Sequence, residues 1–326
     1  MRSIKLPSWT RRALGLQAVP VPPDIFAVSS ESLCYARIVQ RPEGFELVEF
    51  REVELPEGTF GGGLLGGPLR DPGVLREQLE EVLSGVTPTP ESASLVLPDS
   101  WLRLMFLEFE KLSGGPQAKE QVLRWKLGKV VPFRVDELRV DALEVRPAPG
   151  QALPKRVLVG FGSESMLSHI EKVFSDRGIR LGQISNSSLS LLAALDGPLG
   201  GVGLGLLINV FGGSYSLLSC CNGEPILYRL KNLGDLDDHQ AGKLILQDLR
   251  LSRNFLAEQL QNTVVGRIVL LAPKEAEVQW VDRLEQVFEM PPLAVELGHL
   301  RITGSDSSVP VRQAAILVGA AAGEVT

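Results

Sequence analysis

Gly200-Gly201-Val202-Gly203-Leu204-Gly205 carries glycine at the spacing that lets a backbone close around a dinucleotide phosphate. Such a loop works when it links a strand to the N-terminus of a helix. Here it runs into a strand, so a flexible connection is the better reading. His169, His239 and His299 are far apart and lack Cys or acidic partners at ligand spacing, which leaves zinc to a coincidence of folding. Ser163-Glu164-Ser165 and Ser187-Ser188 suit helix N-caps, since no elbow glycines flank them as a nucleophile requires. Asp235, Asp237 and Asp238 precede a long helix and complement its dipole without a metal. Cys220-Cys221 on a strand puts one thiol on each face, which is packing and not redox chemistry. None of these is read as a catalytic residue or a metal ligand.

The chain that must position them has 326 residues, 44% hydrophobic and 22% charged, with a formal net charge of −6. That is a folded globular composition, long enough for two domains or a duplicated one. The acidic balance argues against nucleic acid as the main partner. Three cysteines exclude a disulfide scaffold, and all three are read as reduced. No apolar run is long enough to span a membrane; the segment from Leu199 to Val210 is broken by glycines. The first 23 residues are expected to form a basic, flexible segment (Arg2, Lys5, Arg11, Arg12) without the apolar stretch of a secretion signal. The protein is therefore expected to stay in the cytoplasm. Trp9, Leu14 and Leu16 among those bases could touch anionic lipid, although a solvated tail is the plainer reading.

Ile25–Val28, Leu33–Gln40 and Phe45–Val53 alternate between turn residues and read as a three-stranded meander. A helix over Pro72–Leu83 and a strand over Ala93–Leu97 follow. Trp101–Phe109 is a strand, Gln117–Val131 a helix ending at Pro132, and Leu138–Val145 and Arg156–Phe161 are strands. A helix capped by Ser163 and stopped at Gly178, a strand over Ile179–Ile184 and a helix over Ser187–Leu195 complete the first half. A second meander covers Leu204–Val210, Tyr215–Cys221 and Pro225–Leu230, with Asn222-Gly223 as a turn. The long helix from Asp237 to Leu260 comes next. Arg267–Leu271 (strand), Lys274–Phe288 (helix), a short strand near Ala294–Leu297 and a helix over Val311–Ala321 close the chain. The order repeats, with an insertion in the first copy. That points to an actin-like, duplicated two-lobe α/β fold of the ribonuclease-H-like kind.

Leu97-Pro98-Asp99-Ser100, followed by Arg103 and Leu104, then Trp125, then Val131-Pro132-Phe133 before Asp136-Glu137 and Asp141, resembles the signature of the PilM family. These are actin-like cytoplasmic proteins of type IV pilus assembly. Lys126 departs from the acidic residue usual after the tryptophan. Gly212-Gly213, Gly223, Arg229, Arg253 with Phe255, and the alanine-rich close near Gln313–Ala321 are also similar. The resemblance implies lobes at 24–198 and 199–326, with an inserted subdomain at about 97–159. It also implies a cleft beside that subdomain that takes the cytoplasmic tail of a bitopic, PilN-like inner-membrane partner. Trp125, Pro132 and Phe133 are expected to shape that cleft indirectly, as a buried packing corner.

The same resemblance implies three nucleotide loops, and all three depart from the family pattern. In the first, Ala27 stands where the acid would be, Ser29 where the glycine would be and Cys34 where the lysine would be. A phosphate hairpin needs glycine to let its amides approach, and Glu31 beside it would repel the ligand. The second keeps glycines but has Asn209 for the acid and Phe211 for a small residue. The third continues through Ala272 and Pro273 without a glycine. No cofactor is expected, although ATP with Mg²⁺ occurs in the family. The leading reading is a non-catalytic scaffold on the inner-membrane assembly platform of a pilus or related type II secretion system. The alternative is an ATPase or kinase-like enzyme of the same fold.

Overall fold

The computed structural model describes residues 21–60, 69–109, 115–132, 134–145, 155–199, 203–234, 236–260, 264–304 and 309–323. Most of the basic opening segment, Gly200–Val202, Asp235 and Phe133 lie outside the described residues.

Two sheets repeat one plan. In the first, β1 (Asp24–Val28), β2 (Ser32–Arg41) and β3 (Gly44–Glu54) form an antiparallel meander, and β4 (Ser92–Leu97) and β8 (Arg180–Asn186) run parallel to β1. In the second, β9 (Leu204–Phe211), β10 (Ser214–Cys221) and β11 (Glu224–Asn232) form the meander, and β12 (Val265–Leu271) and β13 (Leu293–Ala294) are the parallel strands. The orders β3-β2-β1-β4-β8 and β11-β10-β9-β12-β13 are the same arrangement. The duplicated α/β plan read from the repeated element order is therefore present.

One strand escapes that reading. Ile302–Thr303 (β14), from the second half of the sequence, pairs in parallel with β3 and completes the edge of the first sheet. Two residues carry no periodicity, so only the closed chain shows the pairing.

Helices cover the sheets because each presents one apolar stripe. They are α1 (Pro72–Val82), α3 (Glu164–Asp176), α6 (Asp238–Gln259) and α7 (Lys274–Phe288), with α2 (Pro116–Leu127) on the inserted unit. The Ser163 hydroxyl accepts from the amide of Met166, and Met166, Leu167, Ile170, Val173 and Phe174 are buried along the α3 stripe. Two further helices, α4 (Ser187–Ala194) and α8 (Val311–Ala322), lie between the two halves, with the short α5 (Asp196–Leu199) after α4. They approach closely at Gly319, where a Cβ would run into the Ser190 carbonyl. The core they share takes Leu189 and Leu191 from α4, Ala315 and Val318 from α8, and side chains from both sheets. Cys220 faces this core while Cys221 faces the core under α6 and α7, as expected of neighbours on a strand.

β5 (Leu102–Phe109), β6 (Leu138–Val145) and β7 (Lys155–Ser163) form a separate three-stranded sheet in the order β5-β7-β6. Leu107, Val157, Val159 and Phe161 pack beneath Leu123 and Leu127 of α2. Leu104, Leu143 and Leu158 on the opposite face join the shared core near Leu218 and Tyr228 of the second half. Helix α2 stops at Leu127, with Gly128 as its C-cap, four residues short of the expected end at Val131. Tight turns then carry the chain to Pro132; a side chain at Gly128 would crowd Val135.

Candidate functional site

A cleft of ≈ 1030 Å³ opens between the halves, lined by the β1–β2 hairpin, the β9–β10 turn and the start of α8. The first hairpin is closed on itself. The Ser29 hydroxyl accepts the amides of Glu31 at 3.1 Å and Ser32 at 2.9 Å, and the Ser29 amide donates to the Ser32 carbonyl at 2.9 Å. A serine at the glycine position thus engages amides that would otherwise be free to face an anion. Cys34 donates toward Glu52 at 3.4 Å, and Gln313 donates to the same carboxylate at 2.6 Å. Burial, with Glu52 beside it, pushes the Cys34 thiol far above its ordinary value, so it is not a thiolate nucleophile. Glu31, Glu52, Glu54 and Glu57 line this side of the cleft.

On the opposite side Gly212 and Gly213 adopt φ of +44° and +67° in the β9–β10 turn, the left-handed pair that a two-residue hairpin needs. Asn209 is fully buried, and its Oδ1 accepts from Arg312 Nε at 3.1 Å. The Arg312 guanidinium also lies 5.3 Å from the Phe211 ring centroid. Burial lowers the Arg312 pKa, and nearby Asp99 partly offsets this. Ala272 and Pro273 lead straight into α7, where Pro273 is the N-cap and Glu275 and Glu277 occupy the first turn. The positions read as degenerate loops therefore offer serine, asparagine, arginine and proline in place of free amides, a metal-binding carboxylate and flexible glycine. Among the described residues, no three His, Cys, Asp or Glu side chains could together hold a metal ion.

Asp99, from the Leu-Pro-Asp turn, is fully buried behind the cleft. It accepts from the amide of Ser188 at 2.9 Å and from its hydroxyl at 2.6 Å, and that hydroxyl lies 2.8 Å from Ser216 Oγ on β10. The carboxylate thus ties the end of β4 to the first turn of α4 and, through Ser188, to the second sheet. Desolvation raises its pKa against the opposing pull of the Ser188 bonds.

A second groove, of ≈ 370 Å³, lies between β5 of the small sheet, the turn at Val130–Pro132 and β11 of the second half. Both β5 and β11 are edge strands of their sheets. Leu104, Phe106, Leu227 and Leu230 supply apolar lining, and two cations enter it. Among the described residues the Nε atoms of Arg103 and Arg156 are buried without a hydrogen-bond partner, and desolvation lowers both pKa values. Arg156 is stacked 4.2 Å from the Phe106 centroid, with Glu108 at 3.9 Å.

The tryptophan–proline corner is not the expected one. Trp125 is 63% exposed on the outer face of α2, with Lys129 Nζ 3.4 Å from its ring centroid. It does not pack against the groove; Leu123 and Leu127 take the inward positions of that helix. Pro132 lines the groove while being itself exposed, and Phe133 lies outside the described residues. Sequence reasoning assigned no role to Arg156, Arg312 or Gln313. Arg156 had little legible signal, since it follows Lys155 at the start of β7 ahead of the apolar run Val157-Leu158-Val159. Arg312 and Gln313 had none, because helix periodicity does not reveal which strand end they meet.

The chain matches no protein-family model and no curated protein. Solved structures do match. One is the PilM–PilN type IV pilus biogenesis complex, with a TM-score of 0.71 at 16% identity, covering 93% of this chain and 98% of that one. Another is the cytoplasmic domain of EpsL, an inner-membrane component of the type II secretion system of Vibrio cholerae, at 0.50 and 13%, covering 91% and 93%. A Bacteroides thetaiotaomicron protein with an actin-like ATPase fold and unknown function gives 0.50 at 10%, covering 91% and 96%. The fold of this chain is accordingly the actin-like duplicated α/β fold.

Proposed function

We propose that this actin-like chain is a non-catalytic scaffold at the inner face of the bacterial inner membrane, serving a type IV pilus or related type II secretion platform. It holds the cytoplasmic tail of a bitopic, PilN-like partner and takes no Mg-ATP. The lobes at 24–198 and 199–326 and the subdomain at about 97–159 belong to the same proposal. The observation that carries it is the groove between β5 and β11. Two edge strands offer backbone pairing to an extended segment, Leu and Phe side chains offer apolar anchors, and the buried Nε atoms of Arg103 and Arg156 lack acceptors among the described residues. A buried donor without an acceptor is costly, and a peptide carbonyl or side-chain oxygen entering the groove removes that cost. Likeness to the PilM–PilN complex and to the EpsL domain supports the same reading.

The cleft between the halves supports the non-catalytic part, since its first hairpin is self-bonded and Arg312 holds the strand end of the second. The test is a titration of synthetic cytoplasmic tails from bitopic proteins encoded beside this chain's gene, followed by calorimetry. Saturable one-to-one binding that weakens in Arg103→Met and Leu230→Asp variants is expected. If no such tail binds at high-micromolar concentration, the scaffold reading fails.

A further inference from the structure

The outer face of α2 exposes large apolar side chains beside lysines. Val122 is 38% exposed and Trp125, three positions on along the helix, 63%. An exposed tryptophan carries a large desolvation gain that water leaves unused. Residues 115–132 hold four bases (Lys119, Arg124, Lys126, Lys129) against one acid, Glu120, while the whole chain carries −6. Glu120 is tied to Arg124 and Lys119 to Glu144, and Arg134 just beyond is tied to Asp136 and Glu137. Lys126 and Lys129 instead stand against aromatic rings, 4.4 Å from Phe109 and 3.4 Å from Trp125. Beside Trp125 lies an open concavity bounded by Arg124, Gly128, Lys129, Val135 and Asp136.

We propose that this face is a membrane-contact surface for anionic phospholipid, with Trp125 and Val122 entering the headgroup–acyl boundary and Lys126 and Lys129 meeting lipid phosphates. Charge complementarity decides the occupant. An acidic molecule is repelled by an anionic bilayer everywhere except where its bases gather, and here they gather around the residue type that favours that interface. Tryptophan brings an apolar body and one N–H donor, which suits the boundary. A lysine over its ring is already beside the plane its ammonium must reach. The helix is too short to span a bilayer and lies flat on its small sheet, so contact is peripheral. The inference does not depend on any tail binding in the β5–β11 groove.

The test separates this face from the basic opening segment, which holds Trp9 and its own cations. The full chain carrying Trp9→Phe is mixed with vesicles of phosphatidylglycerol or phosphatidylcholine, each with brominated acyl chains that quench tryptophan on contact. Trp101 and Trp280 are buried, which leaves Trp125 as the reporter. The expected result is quenching in phosphatidylglycerol and none in phosphatidylcholine. Lys129→Gln, at an exposed position, is expected to lower vesicle partitioning roughly fivefold without moving the Tm, and Lys126→Gln, half-buried over Phe109, to lower it by a similar factor. Sedimentation with phosphatidylglycerol but no quenching would assign binding to the opening segment and overturn the proposal. Partitioning unchanged by both lysine variants would overturn it too. So would a Trp125→Ala variant that loses only capture of a protein partner.

Discussion

Arg312 donates through Nε to Oδ1 of Asn209 at 3.1 Å, so a guanidinium stands at the end of β9 where the fold's nucleotide chemistry would need a carboxylate. A cation there attracts anions but cannot hold hydrated Mg²⁺, and the opposing hairpin has spent its amides on Ser29. The four glutamates across the cleft then repel a polyphosphate.

Low-millimolar Mg-ATP is accordingly expected to leave the Tm unchanged. A ligand at a hundred times its dissociation constant adds ~2.7 kcal/mol to the native state, a shift that thermal unfolding reads easily. An EDTA-sensitive rise in Tm would show that the cleft accepts nucleotide despite this arrangement.

Trp125 and Leu127 are two positions apart on α2 and should differ sharply in what truncation costs. Leu127 is fully buried against the small sheet, and Leu127→Ala is expected to cost ~2–5 kcal/mol. Trp125→Ala removes a side chain that is mostly in water and is expected to change stability by about 0.5 kcal/mol or less. Equal losses in chemical denaturation would restore the packing role expected of Trp125 from its sequence motif.

That reversal marks the limit of what the sequence carried. Periodicity located α3 and its Ser163 cap, both meanders and the Asn222-Gly223 turn, because burial pattern and turn chemistry are local. It gave the end of α2 to Pro132, whereas the helix ends at Leu127 with Gly128 as its C-cap, at a point where the fold brings Val135 so near that a side chain would crowd it. β14 and Arg312 were invisible for the same reason, since each acts on a partner hundreds or about a hundred positions away. The damaged loops were legible as missing glycines and acids. That Ser29 would take the hairpin amides itself was not, because it depends on where one hydroxyl points.

Asp99 makes a pH-dependent contribution whose sign follows from its burial. Desolvation raises its folded-state pKa above the ordinary 3.8, so the folded protein binds this proton more tightly than the unfolded chain does. The stabilisation is fully present below the unfolded value and is lost as pH rises through the folded one. The stability of the wild type relative to Asp99→Asn should therefore be greatest near pH 4 and decline toward neutrality, as read by denaturant midpoints across that range. A difference that grows with pH would mean that the two Ser188 hydrogen bonds outweigh burial.

Arg156 tests the groove, because it separates a ligand-directed cation from a structural one. Its side chain is 10% exposed, its Nε has no partner among the described residues, and the Glu108 carboxylate at 3.9 Å is too far for a hydrogen bond. A structural arginine in such a place would be expected to have its Nε hydrogen-bonded, since a buried donor left without an acceptor costs about 1–3 kcal/mol. Methionine has similar length, can keep the apolar contact with Phe106 and removes that donor and its charge. Arg156→Met is therefore expected to leave stability unchanged or raise it by ~1–3 kcal/mol, in the range seen when apolar residues replace buried ions. The same change should weaken tail binding by tenfold or more, since the peptide loses the donors that complete its polar groups. Calorimetric titration of the variant, with its denaturation curve measured beside it, reads both quantities. Lost stability with unchanged tail affinity would make Arg156 a pillar of the small sheet and would remove the main polar argument for a peptide in this groove.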